Sequence, residues 1–227
     1  MNIRVVGIVS IVILFALTSG YMSYSLSDGA NLNEVYNKKD IQVIQKTAAG
    51  TVPHEITIKN NGNTTITVKK GETLASSVSQ NMVIAEDKSI DPGTDETVKA
   101  YCLEPSKRAK EGTKLLPVNT TYDTVTKVIS NSDTSDPASA MDIQLQIWII
   151  MSGGSLNPYT GEPVALVEKQ NITWSELRQN ISDAKAEVMN TFNVKENELI
   201  SLKEKDLSTG QTWIDNVSNY IKSSLGI

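Results

Sequence analysis

Hydrophobic and polar positions change rhythm three times along this chain of 227 residues. The first stretch has no rhythm. Val5 to Met22 is a run of 18 residues without a charge, and Arg4 alone precedes it. A basic residue ahead of an apolar run is the order of a secretory signal. The run is also at the lower length limit for crossing a bilayer. Residues 1–25 are therefore expected to be a hydrophobic helix, serving as signal peptide or membrane anchor. Thr18-Ser19-Gly20 and Ser23-Tyr24-Ser25 offer small residues to a signal peptidase. Residues 26–40, with Gly29, Asn31, Asn33 and Asn37 and little periodicity, are expected to be a tether.

From Ile41 the pattern alternates. Ile41 and Val43, Ile56 and Ile58, Ile66 and Val68 are apolar pairs two apart, which is strand spacing. Between the second and third pairs lies Lys59-Asn60-Asn61-Gly62-Asn63-Thr64. Asn-Gly between β-branched runs predicts a hairpin, because both residues accept positive φ. Further strands are predicted at Asn81–Ala85 and Glu96–Leu103, with Asp91-Pro92-Gly93 as a turn. Several short strands with such punctuation predict an Ig-like β-sandwich over residues 41–104.

After Glu104-Pro105 the period lengthens. Residues 106–117 carry Lys107, Arg108, Lys110 and Lys114 and are expected to form a solvated connector. Tyr122–Ile129 predicts a short helix. Asp136-Pro137 starts a longer one over Ala138–Ser152, with proline where its missing N–H costs nothing. Ile143, Leu145, Ile147, Trp148, Ile149, Ile150 and Met151 make that helix apolar nearly all round, hence buried. Its length and the presence of Asp142, Gln144 and Gln146 argue against a second membrane span. Thr173-Trp174-Ser175-Glu176 is a capping box. It opens an amphipathic helix with Trp174, Leu177, Ile181, Ala184 and Val188 expected on one apolar stripe. A last helix is predicted from about Thr209, with Trp213, Val217, Tyr220, Ile221 and Leu225 on one face. The expected class is α+β: an Ig-like sandwich, then a mainly helical domain over residues 105–227, behind the N-terminal helix.

Charge narrows the partners. With 21 basic and 26 acidic residues the chain is net negative, whereas phosphate backbones demand a basic face. No nucleic acid is expected. An acidic surface suits an extracellular or cell-surface location, with the membrane met only through residues 5–22. Asn63, Asn119, Asn171, Asn180 and Asn216 each begin an Asn-x-Ser/Thr sequon and are glycosylation candidates in such a setting.

Catalytic signatures are missing. His54 is the only histidine, beside Pro53 at a strand start, and is expected at the surface without a cysteine or serine partner. The chain contains no Gly-x-Ser-x-Gly, no phosphate-cradling loop and no zinc-ligand spacing. No enzyme, cofactor or metal is expected on these grounds. The leading expectation is a secreted or anchored surface protein that binds an extracellular protein or glycan. An unrecognised extracellular enzyme ranks last.

One pair of residues suggests chemistry. Val98, Ala100 and Cys102 share one face of a predicted strand, which turns the sole cysteine inward. On the apolar helix Gln144 shares a stripe with Met141, Trp148 and Met151, while Gln146 lies opposite. A buried glutamine needs a polar partner. At Tyr101-Cys102-Leu103 and Gln144-Leu145-Gln146-Ile147-Trp148 the chain resembles the thioester domains of cell-surface adhesins. That family joins a cysteine after an aromatic residue to a glutamine in Thr-Gln-x-Ala-apolar-Trp; here Ile143 replaces the threonine and Gln146 the alanine. The resemblance implies an internal thioester between Cys102 and Gln144 that captures an amine on a target surface. Overall, the expected sandwich followed by helices also resembles uncharacterised surface proteins of prokaryotes.

Overall fold

The computed structural model describes residues 29–36 and 40–206. The apolar run at 5–22, the helix expected from about Thr209 and the sequon at Asn216 lie outside the described residues. Among these no helix is long and apolar enough to cross a membrane.

The described chain is α+β with mostly antiparallel sheets. Nine strands run in order: β1 (Ala30–Asn31), β2 (Ile41–Gln45), β3 (His54–Asn60), β4 (Ile66–Val68), β5 (Thr73–Ala75), β6 (Met82–Ile84), β7 (Lys88–Ile90), β8 (Asp95–Cys102) and β9 (Leu116–Val118). Five helices accompany them: α1 (Leu32–Tyr36), α2 (Asp123–Ser130), α3 (Pro137–Met151), α4 (Glu162–Gln170) and α5 (Trp174–Phe192). Residues 199–206 are also helical. One sheet has the order β1-β4-β7 and the other β2-β3-β8-β6-β5-β9. Ile66, Val68 and Ile90 of the first share a hydrophobic cluster with Val43, Ile56, Ile58, Ile84 and Val98 of the second.

Three expectations need correction. The Asn61-Gly62 hairpin does not form, because β3 and β4 belong to different sheets. The Asn60 amide donates to Thr64 O and Ile90 O, and its Oδ1 accepts from Gly62 N, which turns the chain from one sheet to the other. Local turn propensity yields to this buried side-chain network. Residues 29–36 are not a loose tether: β1 pairs parallel with β4, and Leu32 and Val35 enter the main core. Finally, the basic connector is partly sheet. Its lysines and Arg108 are exposed, but Leu115 N donates to Val43 O and Gln45 N to Thr113 O, so this stretch pairs with β2. The next three residues, β9, pair with β5. Residues 112–118 thus join the two outer strands, and the larger sheet closes on itself. The stretch past residue 104 shares the sheet of the stretch before it.

Helix α3 behaves as its composition predicts. Asp136 caps it, accepting from Ala138 N and Ser139 N. Leu145 and Trp148 pack into the cluster shared by the two sheets. Ile143, Ile147, Ile149 and Ile150 pack into a second cluster with Tyr101, Leu103, Val125, Ile129 and Val188. Over Ile143–Ile150 the helix is wedged between two cores with no wet face, and that is why its apolar residues run all the way round there. The capping box at Thr173 and Glu176 is present on α5.

Candidate functional site

The site is built where β8 ends against α3. Leu103 N bonds Asn81 O and Lys99 O accepts from Ala85 N, so the odd residues of β8 turn their backbone groups toward the β6 side. The even residues turn theirs toward β3. The β3 ladder stops at the His54–Ala100 pair, which leaves the Cys102 peptide groups without a strand. Gln144 fills the gap. Cys102 N donates to Gln144 Oε1 at 2.9 Å, and Gln144 Nε2 donates to Cys102 O at 2.8 Å. The carboxamide stands in for the missing strand and satisfies both buried backbone groups. The two sequence-selected residues are therefore in contact. Gln146, across the helix, donates to Asp142 Oδ2 instead.

The Cys102 side chain faces the other way in chemistry. Its sulfur, one His54 ring nitrogen and a Glu162 carboxylate oxygen all lie within 4.8 Å of one another, and all three residues are buried. The expectation of a surface His54 is overturned. Strand period explains the result: His54, Ile56 and Ile58 alternate onto one face of β3, so the parity that buries the isoleucines buries the histidine. Register then sets His54 beside Ala100, two residues short of Cys102 and on the same face.

Glu162 and α4 were not foreseen from sequence. The signal was present in Gly161-Glu162-Pro163, a glycine and proline bracketing the start of Val164-Ala165-Leu166-Val167. Gly161 has φ 63°, and a Cβ there would lie 2.1 Å from Pro105 O, so only glycine permits this approach. The Glu162 carboxylate accepts from Gly50 N at 2.7 Å and Ala109 N at 2.9 Å, and its Oε1 is 3.3 Å from His54 Nε2. Gly50 has φ 80° and abuts Ala165 O. Gln170 Nε2 donates to Gly50 O and pins that loop to α4.

Burial favours the protonated form of Glu162, but the hydrogen bonds from the His54 ring, Gly50 and Ala109 outweigh it and hold the carboxyl below its usual range. Burial first, and then the Glu162 charge, push the Cys102 thiol well above its ordinary range. Such a thiol is not an activated nucleophile. The hydrogen bonding also differs from a catalytic relay, in which one histidine nitrogen meets the nucleophile and the other a carboxylate. Here Nδ1 is 2.9 Å from Thr47 Oγ1, and Nε2 faces the carboxylate.

Gln80 completes the cluster from the β5–β6 loop. It is fully buried beside the Cys102 sulfur, yet neither of its polar atoms has a hydrogen-bond partner of normal geometry. That loop is held by Asn81 Oδ1 accepting from Ser76 N, and by Ser79 Oγ donating to Gln45 Oε1.

On the outside, Tyr159 and Trp174 form an aromatic pair with ring centroids 5.2 Å apart and planes tilted by 40°. They are 55% and 36% exposed, and Arg178 Nη1 donates to Tyr159 OH. Of the sequon asparagines, Asn63, Asn119 and Asn171 are exposed and Asn180 is half-buried. No family model, curated protein or solved structure matches this chain.

Proposed function

We propose that this is a secreted or membrane-anchored cell-surface protein that binds an extracellular glycan or protein. The observation that carries the binding reading is the Tyr159–Trp174 pair with Arg178 beside it. Large aromatics and arginine dominate the energetics of recognition surfaces, and they are seldom clustered in water without use. The uncharged run behind Arg4 supports export. Two sheets facing across one core support the Ig-like reading of residues 41–104 as a spacer, with the closing strand contributed from beyond that range. The test is binding of the purified protein to intact cells and to a panel of polysaccharides. Tyr159→Ala with Trp174→Ala should reduce binding at least about tenfold while unfolding stability shifts by less than about 1 kcal/mol. Unchanged binding by the double variant would remove this surface from the proposal.

A second reading is the thioester: the Gln144 carboxamide bonds the Cys102 backbone, and the sulfur, now turned toward His54 and Glu162, would have to rotate toward it. Cys102 sulfur would add to Cδ of Gln144, the C–N bond would break, and ammonia would leave with the thiol proton. The Cys102 N–H on Oε1 is placed to stabilise the developing oxyanion. If it forms, the intact mass falls by one ammonia, denatured protein shows no thiol, and methylamine is incorporated at Gln144. Full sequence mass with one reactive thiol, in protein never exposed to nucleophiles, sinks this reading.

A further inference from the structure

Three polar side chains from three separate segments meet in the dry interior, and we propose that they bind a divalent cation of the zinc class. The ligands are His54 Nε2, Cys102 Sγ and a Glu162 carboxylate oxygen, with Gln80, buried beside the sulfur, supplying its carbonyl oxygen as the fourth once its amide is turned toward the cation. This site goes beyond surface recognition and does not depend on it.

Geometry is the first argument. Zinc bonds of about 2.0–2.3 Å place tetrahedral ligands roughly 3.3–3.8 Å apart. His54 Nε2 and Glu162 Oε1 already stand 3.3 Å apart, and the sulfur lies within 4.8 Å of a His54 ring nitrogen and a Glu162 carboxylate oxygen. Closure by about 1 Å completes three of the four positions.

Unmet hydrogen-bonding need is the second. Both polar atoms of Gln80 are buried without a hydrogen-bond partner of normal geometry, and His54 Nε2 meets the Glu162 carboxylate only at a long 3.3 Å. Each such group costs about 1–3 kcal/mol when left unpaired. A cation at the centre would satisfy His54 Nε2 and the Gln80 carbonyl together.

The surroundings already hold the ligands in place. Thr47 Oγ1 accepts from Glu55 N and is positioned to accept from His54 Nδ1–H, the tautomer that frees Nε2 for a metal. Gly50 N and Ala109 N orient the carboxylate, whose remaining lone pairs stay available. Charge is the last argument. A divalent cation with one thiolate and one carboxylate is neutral, and only a neutral group is cheap to bury. A nitrogen, sulfur and oxygen set favours zinc over magnesium or calcium. With four protein ligands and no opening, the site is structural. Binding releases the Cys102 thiol proton to solvent and moves no electron.

A sulfur held by a metal cannot be acylated, so this site and the thioester exclude each other. The test uses the full-length chain in detergent, loaded with Zn²⁺ and desalted. Metal analysis should find about one zinc per chain. Exchange for Co²⁺ should give the sulfur-to-metal charge-transfer absorbance together with tetrahedral visible bands. Cys102→Ser should abolish the charge-transfer band, and His54→Gln should weaken Zn²⁺ binding at least about tenfold. If either variant fails to fold, the wild-type cobalt spectrum decides. Less than about a tenth of an equivalent of zinc, with no charge-transfer band, overturns the proposal. So does an intact mass short by one ammonia.

Discussion

Replacing Trp148 with alanine is expected to cost about 3–5 kcal/mol of unfolding free energy, the range for emptying a large aromatic from a packed core. The side chain is fully buried among residues of both sheets, on the helix that separates the two cores. The cavity would therefore open where two clusters rely on one element, and collapse into it is blocked from both sides. Trp148→Phe should cost less. The indole N–H has no protein partner to lose, so only volume changes. Denaturant unfolding of both variants checks this. A loss below about 1 kcal/mol for the alanine variant would show that α3 is peripheral.

Gln144→Met should cost about 2–5 kcal/mol although it nearly conserves volume. Methionine fills the space but cannot accept from Cys102 N or donate to Cys102 O, and both backbone groups would be buried and unpaired. Each such loss is worth about 1–3 kcal/mol. Gln146→Met is the control, since its bond goes to a half-buried carboxylate on its own helix. Equal stability of the two variants would show that the strand-like role of Gln144 is unimportant.

Much of the fold was legible wherever one period governed a segment. Helices α2, α3 and α5 and strands β6 and β8 emerge within a residue or two of their expected positions, because burial and local propensity agree there. The failures share a cause: pairing is decided by distant residues. Asn61-Gly62 has the local chemistry of a hairpin, yet Asn60 bonds to Ile90, thirty residues away, and sends the chain elsewhere. The basic stretch before β9 looks solvated because its charged side chains are, while its backbone is used by β2.

For the site, the inward faces of Cys102 and Gln144 followed from alternation and a helical stripe, whereas their pairing was implied only by the resemblance to thioester domains, and the contact made is with the Cys102 backbone. His54 was misjudged as a residue type when its parity with Ile56 and Ile58 already placed it inside. Glu162 was hidden for a different reason. A carboxylate enters a core only when backbone donors await it, and Gly50 N and Ala109 N come from loops whose approach no sequence pattern encodes.

The stretch at 112–118, by joining β2 to β5, also changes how copies of this protein would behave side by side. An open sheet ends in a row of unpaired amides that a neighbouring chain can extend, the usual seed of edge-to-edge aggregation. Here residues 112–115 bond β2 and residues 116–118 pair with β5, so among the described residues this segment shortens such a row on the six-stranded sheet. The smaller sheet does have ends, but β1 and β7 are two and three residues long, too short to template a partner. Among the described residues, strand addition by a neighbouring copy therefore has little backbone to work on.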